Sequence, residues 1–367
     1  MSKILLVTKN INNNPKGGRE KLNKLIYMIL KDLYKDNLLL FVLKDEDINI
    51  KNNKYKNFLY HFNALFGYID GINSTKINEI NLLILSNNIN KIFIDGSNLG
   101  LIAKKIRQKN TFLEIISFFH NVEARFFFGE FKNKLSFKSL VVMLVNFMVE
   151  KQSVLYSSVL ICLNKRDNDL LFSIYGKRAN YLCSLSMFDE HNIIVNGNKS
   201  IEFDYLLFVG GFFYANFIGI KWFIENVKVN KSIKIVIVGK GFEIFREQLS
   251  GNDQVIVVGE VDDLSEWYLN SICTIAPIFD GSGMKTKVAE SLMHGKKIIG
   301  STEAFIGYDL NINDIGWECK TIFDFENAVV SAFIEKNVNH YTKLRQIYLK
   351  NYSYDSMKNT FKSILFK

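Results

Sequence analysis

The stretch Ala276–Gly295 reads APIFDGSGMKTKVAESLMHG and spans the end of a strand, a turn and a helix. The apolar run Ile272–Ile275 leads to Pro277, Gly281-Ser282-Gly283 make a tight turn, and Met284, Val288, Leu292 and Met293 then recur at helical spacing. Glycines at such a turn let a ligand approach the backbone closely. The first amides of the following helix, at the positive end of its dipole, form an anion site. Lys285 and Lys287 add two ammonium groups at that point, which suits a diphosphate. Glu290 lies about one turn deeper, where a carboxylate can accept two hydrogen bonds from a ribose diol. A glycine turn alone commonly serves only to end a strand; the lysines and the carboxylate at this spacing favour a ligand.

Outward from this segment the same unit repeats. Tyr205–Val209, Ile233–Val238, Val255–Val258 and Lys297–Ile299 read as further short apolar strands, and Gly219–Glu225 lies in a helix. The front half begins with KILLVT (Lys3–Thr8), a loop containing Pro15, Gly17 and Gly18, and a helix marked by Leu22, Leu25, Ile26, Ile29 and Leu33. Leu38–Leu43, Lys91–Ile94, Phe112–Phe119 and Val159–Leu163 follow as strands, with helices over Leu99–Gln108 and Ser139–Ser153. Alternation of this kind predicts an α/β protein with two doubly wound parallel sheets. The 367 residues suit two domains better than one core. We expect them at 1–196 and 200–350, joined by the polar stretch Asn192–Glu202, with a C-terminal helix from about 350 to 367 able to pack back on the first.

The chain is 48% hydrophobic and 14% aromatic, which excludes a disordered protein. The four cysteines, Cys162, Cys183, Cys273 and Cys319, show no ligand or disulfide spacing, and a reducing compartment fits. Met1–Thr8 lacks the pattern of a signal peptide, and the longest apolar run, Leu140–Val149, is well short of the ~18 residues that cross a bilayer. A cytoplasmic protein, soluble or peripheral, is expected. Of the net charge of +9, residues 1–199 carry 28 Lys and Arg against 17 Asp and Glu, and the remainder 18 against 20. A basic front half suits nucleic acid, anionic lipid or a phosphorylated substrate, or is a plain solvated surface. Phe126–Val149, apolar but carrying Lys132, Lys134 and Lys138, is either an anionic-membrane contact or a buried domain helix.

The Ala276–Gly295 segment resembles the donor-binding motif of the retaining family 4 glycosyltransferases and their capsule and O-antigen relatives. The likeness extends over most of the chain. Phe208–Glu225 (FVGGFFYANFIGIKWFIE) is similar to the first strand and helix of that family's donor domain, followed by Ile237–Gly241 (IVGKG) and Val257–Leu264 (VVGEVDDL). In the front half, Phe118–Glu123 (FFHNVE) matches the strand-end histidine and Gly17-Gly18-Arg19 the glycine loop. The resemblance implies a GT-B fold, two Rossmann-like domains with parallel sheets facing a central cleft. It implies transfer of a hexose-type sugar from a nucleotide diphosphate sugar, with retention, to a glycan or polyprenyl-diphosphate-linked acceptor. It implies no metal and no cofactor. Catalytic roles fall to His120, Lys285, Lys287 and Glu290. Donor contacts fall to Gly210, Gly211, Gly239, Lys240, Gly241, Gly259, Val261, Leu264, Gly281, Ser282, Gly283 and Met284, and acceptor contacts to Gly17, Gly18, Arg19 and Glu123.

Two features depart from the family. Where many members carry two glutamates eight positions apart, Glu290 is present but the first position is Ser282, and the usual Arg and Lys pair is missing where Phe212 follows Gly211. Other readings stay open: a catalytically silent GT-B subunit, a sugar-nucleotide epimerase, or a nucleic-acid-binding protein, although no reading helix, RNP pattern or zinc module appears. Asp45-Glu46-Asp47 and Asp167-Asn168-Asp169 have the DxD form of metal-dependent transferases, but their contexts suit solvated loops or helix starts. His294 reads as a capping or packing residue, and Glu123 and Arg125 as acceptor-side groups or a surface ion pair.

Overall fold

The computed structural model describes residues 3–12, 15, 18–43, 62–190, 201–249, 251, 253–281 and 283–367. In it the short apolar runs of the front half become β1 (Ile4–Thr8), β2 (Leu38–Val42), β3 (Lys91–Asp95), β4 (Glu114–Phe119), β5 (Val159–Cys162) and β6 (Tyr181–Leu182). They pair in parallel in the order β2-β1-β3-β4-β5-β6. Every residue of β1 is buried, because helices cover both faces of the sheet. Leu5, Val7, Ile92 and Ile94 meet Ile80, Ile84, Ile102 and Ile106 of the helices Ser74–Ser86 and Gly100–Lys109 on one face. On the other, Phe93 and Phe118 meet Phe361, with ring centroids 5.4 and 6.0 Å away.

The back half builds a second sheet from β7 (Tyr205–Val209), β8 (Lys234–Val238), β9 (Val255–Gly259), β10 (Cys273–Ala276), β11 (Ile298–Ser301) and β12 (Gly316–Cys319). Its order, again parallel, is β12-β11-β10-β7-β8-β9. The two-residue strand period sorts the core. Leu206, Phe208, Ile235 and Ile237 face Ile220, Phe223, Phe325 and Val329, while Tyr205, Leu207, Val209, Val236 and Val238 face Tyr268. The described chain divides into two units, one ending at Ser184 and completed by Lys358–Lys367, the other Leu185–Met357. Each is an α/β layer structure of Rossmann type. In the first, Lys91 Nζ donates to the Leu365 carbonyl at 2.8 Å and Lys358 pairs with Asp32 at 2.8 Å. Most of the expected linker, residues 191–200, lies outside the described residues, as does Asp45-Glu46-Asp47.

Several elements differ from expectation. Phe126–Val149 is not one helix but parts of two, Glu123–Lys134 and Phe137–Tyr156, broken where Leu135 takes φ 43° and Ser136 caps the second through the Ser139 amide. The second helix has 20 residues and is long and apolar enough, by length and composition, to cross a membrane. The run Leu140–Val149 understates it, since Lys138 and Ser139 before it and Glu150, Lys151, Gln152 and Ser153 after it end the apolar count without breaking the helix. Within the first unit Val145, Val149, Glu150, Ser153 and Val154 form its buried side. Met284 lies ahead of the helix it was assigned to, which runs Thr286–Met293 with Lys285 at its N-cap. Asp167 occupies the first turn of the helix Lys165–Tyr175, its amide donating to the Asn164 side chain.

Candidate active site

In the second unit the chain leaves β7 toward β8 on one side, while β10 lies on the other, so the strand order reverses between β7 and β10. In open α/β sheets ligands bind beyond the carboxyl ends of the strands at such a point. Four of the expected donor segments follow those ends: Gly210-Gly211 after β7, Gly239–Gly241 after β8, Gly259–Leu264 from the end of β9, and Gly281–Lys285 after β10.

Backbone hydrogen bonds join the first three loops. The Gly210 amide donates to the Val238 carbonyl at 2.9 Å, Phe212 to Lys240 at 2.7 Å, and Gly239 to Gly259 at 2.7 Å. Gly239 has φ +154°, and a Cβ there would fall 2.0 Å from the Gly210 carbonyl oxygen. No side chain fits. Glu243, which the sequence reading passed over, fastens the third loop to the second. Its carboxylate accepts from the Gly241 amide at 2.6 Å and the Glu260 amide at 3.0 Å. Amide hydrogen bonds, from its own backbone first, hold its pKa below the usual carboxylate range.

The turn after β10 is braced on both sides. Asp280 accepts from the Gly281 amide at 2.7 Å and from the Tyr214 hydroxyl at 2.9 Å. Ser282 lies outside the described residues. Lys285 Nζ donates to the Gly283 carbonyl at 3.0 Å and pairs with Glu303 at 2.9 Å. The Tyr308 hydroxyl bridges the first helical turn, donating to the Lys285 carbonyl at 2.6 Å and accepting from the Ala289 amide at 3.1 Å. Glu303 and Tyr308 were not anticipated.

Lys287 points back beneath the β7 loop. Its Nζ lies 2.5 Å from the Val209 carbonyl and 4.9 Å from the centre of the Phe208 ring. A Cβ on Gly210 would come within 2.1 Å of that ammonium, so glycine at 210 makes room for it. Burial lowers the Lys287 pKa to about 8, against the opposing pull of Glu290. Glu290, partly buried, accepts from the Tyr268 hydroxyl at 3.4 Å. Tyr268 in turn stacks on His294 at 4.3 Å, and His294 is the C-cap of the helix. Lys287 and Glu290, three residues apart on one face of this short helix, are thus held by different neighbours, the β7 end and Tyr268.

In the first unit the order reverses between β1 and β3, and three side chains meet at the strand ends there. Asp95, at the end of β3, accepts from Thr8 Oγ1 at 2.7 Å and lies 2.7 Å from His120 Nε2, one residue past β4. Asp95 is fully buried and the His120 side chain 9% exposed. A carboxylate accepts only, so Nε2 donates, and in the neutral ring the free lone pair falls on Nδ1. That atom is buried without a hydrogen-bond partner among the described residues. His120 was expected from sequence; Thr8 and Asp95 were not, although an aspartate closing the apolar run KIFID is the kind of signal that marks a strand-end site.

Beside this triad, Arg19, in the first turn of the helix Gly18–Tyr34, pairs with Glu123 at 3.4 Å and donates to Asn98 at 3.2 Å. Glu123 is buried and opens the helix Glu123–Lys134, so its partner is Arg19 and not the neighbouring Arg125 of a surface pair. Gly17 lies outside the described residues. The amides of Glu123 and Ala124 are capped at 2.8 and 3.0 Å by Glu150, whose pKa burial raises to about 7.

Residues 204–313 match the family model of glycosyl transferases, group 1. That span runs from β7 to just ahead of β12 and includes every expected donor residue. No curated protein sequence matches the chain. Among solved structures, sucrose-phosphate synthase from Thermosynechococcus elongatus superposes with TM-score 0.72 at 11% identity, over 100% of this chain and 98% of its own. HepE from Anabaena, in complex with UDP, gives 0.67 at 11% over 99% of each chain. The lipopolysaccharide outer core galactosyltransferase WaaB, in its apo form, gives 0.64 at 14% over 99% of each. At these identities the likeness establishes the fold. The protein has the GT-B architecture, and residues 204–313 form its group 1 domain.

Proposed function

We propose that this chain is a retaining, metal-independent hexosyltransferase of bacterial capsule or O-antigen synthesis, acting in the cytoplasm. The group 1 domain would hold a nucleotide diphosphate sugar, and the first unit a glycan or lipid-linked acceptor. One observation carries the reading: Gly281, Gly283, Lys285, Lys287 and Glu290 follow the end of β10 at the strand reversal between β7 and β10. The match of this domain to a glycosyl transferase model supports it.

In the proposed step the acceptor oxygen bonds to the anomeric carbon, the bond from that carbon to the diphosphate breaks, and a leaving phosphate oxygen takes the acceptor proton. Negative charge grows on the departing diphosphate. The ammonium groups of Lys285 and Lys287, released from Glu303 and the Val209 carbonyl, would stabilise that charge. Glu290 would accept from the ribose, and His120 Nδ1 would contact the donor sugar or phosphate. The exposed Lys132, Lys134 and Lys138 favour peripheral contact with an anionic leaflet, each contributing on the order of 1 kcal/mol.

The test is transfer from labelled UDP, GDP and dTDP sugars in excess EDTA, with the anomeric configuration of the product read by NMR. We expect turnover without added metal, a retained anomer, and loss of most activity in Glu290→Ala with its fold intact. Strict magnesium dependence, or wild-type turnover by that variant, would refute the assignment.

A further inference from the structure

The first unit contains a groove of about 850 Å³ that neither the triad nor the helix cap uses. Its two ends differ in chemistry. At one, Lys9, Arg19, Asp70, Asn98 and Glu123 form a linked polar set: Lys9 pairs with Asp70 at 2.6 Å, Asn98 donates to Asp70 at 2.5 Å, and Arg19 reaches both Asn98 and Glu123. Elsewhere its lining is mainly apolar, with Val141, Val142 and Val145 from the helix Phe137–Tyr156 and Phe62, Leu65 and Ile69, while Lys138 and Asn146 add polar groups. The rim is apolar as well. Phe137 is 82% exposed and Leu65 48%, far more large apolar surface than a groove serving only a soluble sugar needs.

The polar end adjoins the triad along the chain. Asn98 follows Asp95 by three residues, and Glu123 follows His120 by three. A ligand whose head engages Arg19 and Asn98 therefore lies beside His120, with its tail directed along the valines. Cations at that end suit a phosphate, and the carboxylates suit hydroxyl groups. We infer that the groove binds one single-chain amphiphile, a hydrocarbon chain carrying a phosphate or phosphosugar head. Resting on the transferase reading, this selects a lipid-linked acceptor over a free glycan.

The probes are butyl, octyl and dodecyl phosphate, each below its micelle concentration, titrated calorimetrically into the full chain. Affinity should rise about fourfold per methylene buried, until the groove is filled. Val142→Asp should weaken dodecyl phosphate at least tenfold and leave butyl phosphate unchanged, whereas Arg19→Gln should weaken all three alike. Phe137→Ser, at an exposed position, provides a second apolar variant should Val142→Asp not fold.

Affinity independent of chain length overturns the inference. So does cosedimentation with anionic vesicles that Val142→Asp leaves unchanged while dodecyl phosphate fails to bind, since the apolar surface then meets a membrane and not one chain. UDP binding without alkyl phosphate binding sinks the inference alone. Chain-length-dependent binding with no transfer from any sugar nucleotide sustains it and sinks the transferase reading alone.

Discussion

The lowered pKa of Lys287 makes the affinity for UDP depend on pH in a direction that can be worked out beforehand. In the free protein its ammonium form persists up to about pH 8, against an ordinary 10.5. A diphosphate binding next to it favours the charged form. Binding then requires proton uptake wherever the free amine is neutral. At pH 9.5 only about 3% of the free protein would carry the ammonium, so affinity should fall roughly thirtyfold from its value at pH 7, about 2 kcal/mol. The terminal phosphate of UDP loses its second proton near pH 6 and adds nothing to the slope above pH 7.5. Stability of the unliganded protein should move the other way. Between about 8 and 10.5 the unfolded chain keeps the Lys287 proton that the folded chain has released, so unfolding free energy rises with pH across that window. Its ceiling is about 3 kcal/mol, reduced because the side chain is only partly buried. The assay is calorimetric titration of UDP from pH 7 to 9.5, in two buffers of different ionisation enthalpy, with Lys287→Met alongside. Equal pH slopes for the two proteins, or no proton uptake at pH 8.5, would refute the reasoning.

Gly239→Ala should cost about 3 kcal/mol or more, since its Cβ would meet the Gly210 carbonyl oxygen at 2.0 Å on a backbone at φ +154°; a denaturant midpoint within error of wild type would contradict this. Asp95→Asn should lower turnover about 10- to 100-fold with little change in melting temperature, as happens when a partner orienting a functional histidine is lost. Nitrogen chemical shifts of the His120 ring should show its neutral tautomer redistributed, and an unchanged ring with unchanged turnover would remove Asp95 from the site.

The strands were legible because a parallel strand buried on both faces is a continuous apolar run. KILLVT, LLLFV and YLLFV need no tertiary information to be recognised. β12 escaped notice because GWEC is short and half polar, and the break between the two apolar helices because it turns on Leu135 at positive φ, where a glycine would have signalled it. In the donor region, spacing along one turn and one helix was enough to single out Gly281, Gly283, Lys285, Lys287 and Glu290.

Residue types, their local spacing and the order of strands and helices are one-dimensional, and from them the sequence alone determined an α/β chain of two Rossmann-like domains with a glycine turn and two lysines ahead of a helix in the second. The partners that make the sites specific are remote in sequence. Asp95 meets Thr8 across 87 residues, Lys287 meets the Val209 carbonyl across 78, and Arg19 meets Glu123 across 104. Those pairings, the strand orders that place the reversals at β1/β3 and β7/β10, and the burial that lowers the Lys287 pKa were decided only by the tertiary structure. Hydrogen bonds and desolvation act over a few ångströms of space, and only the folded sheets set which distant residues come that close.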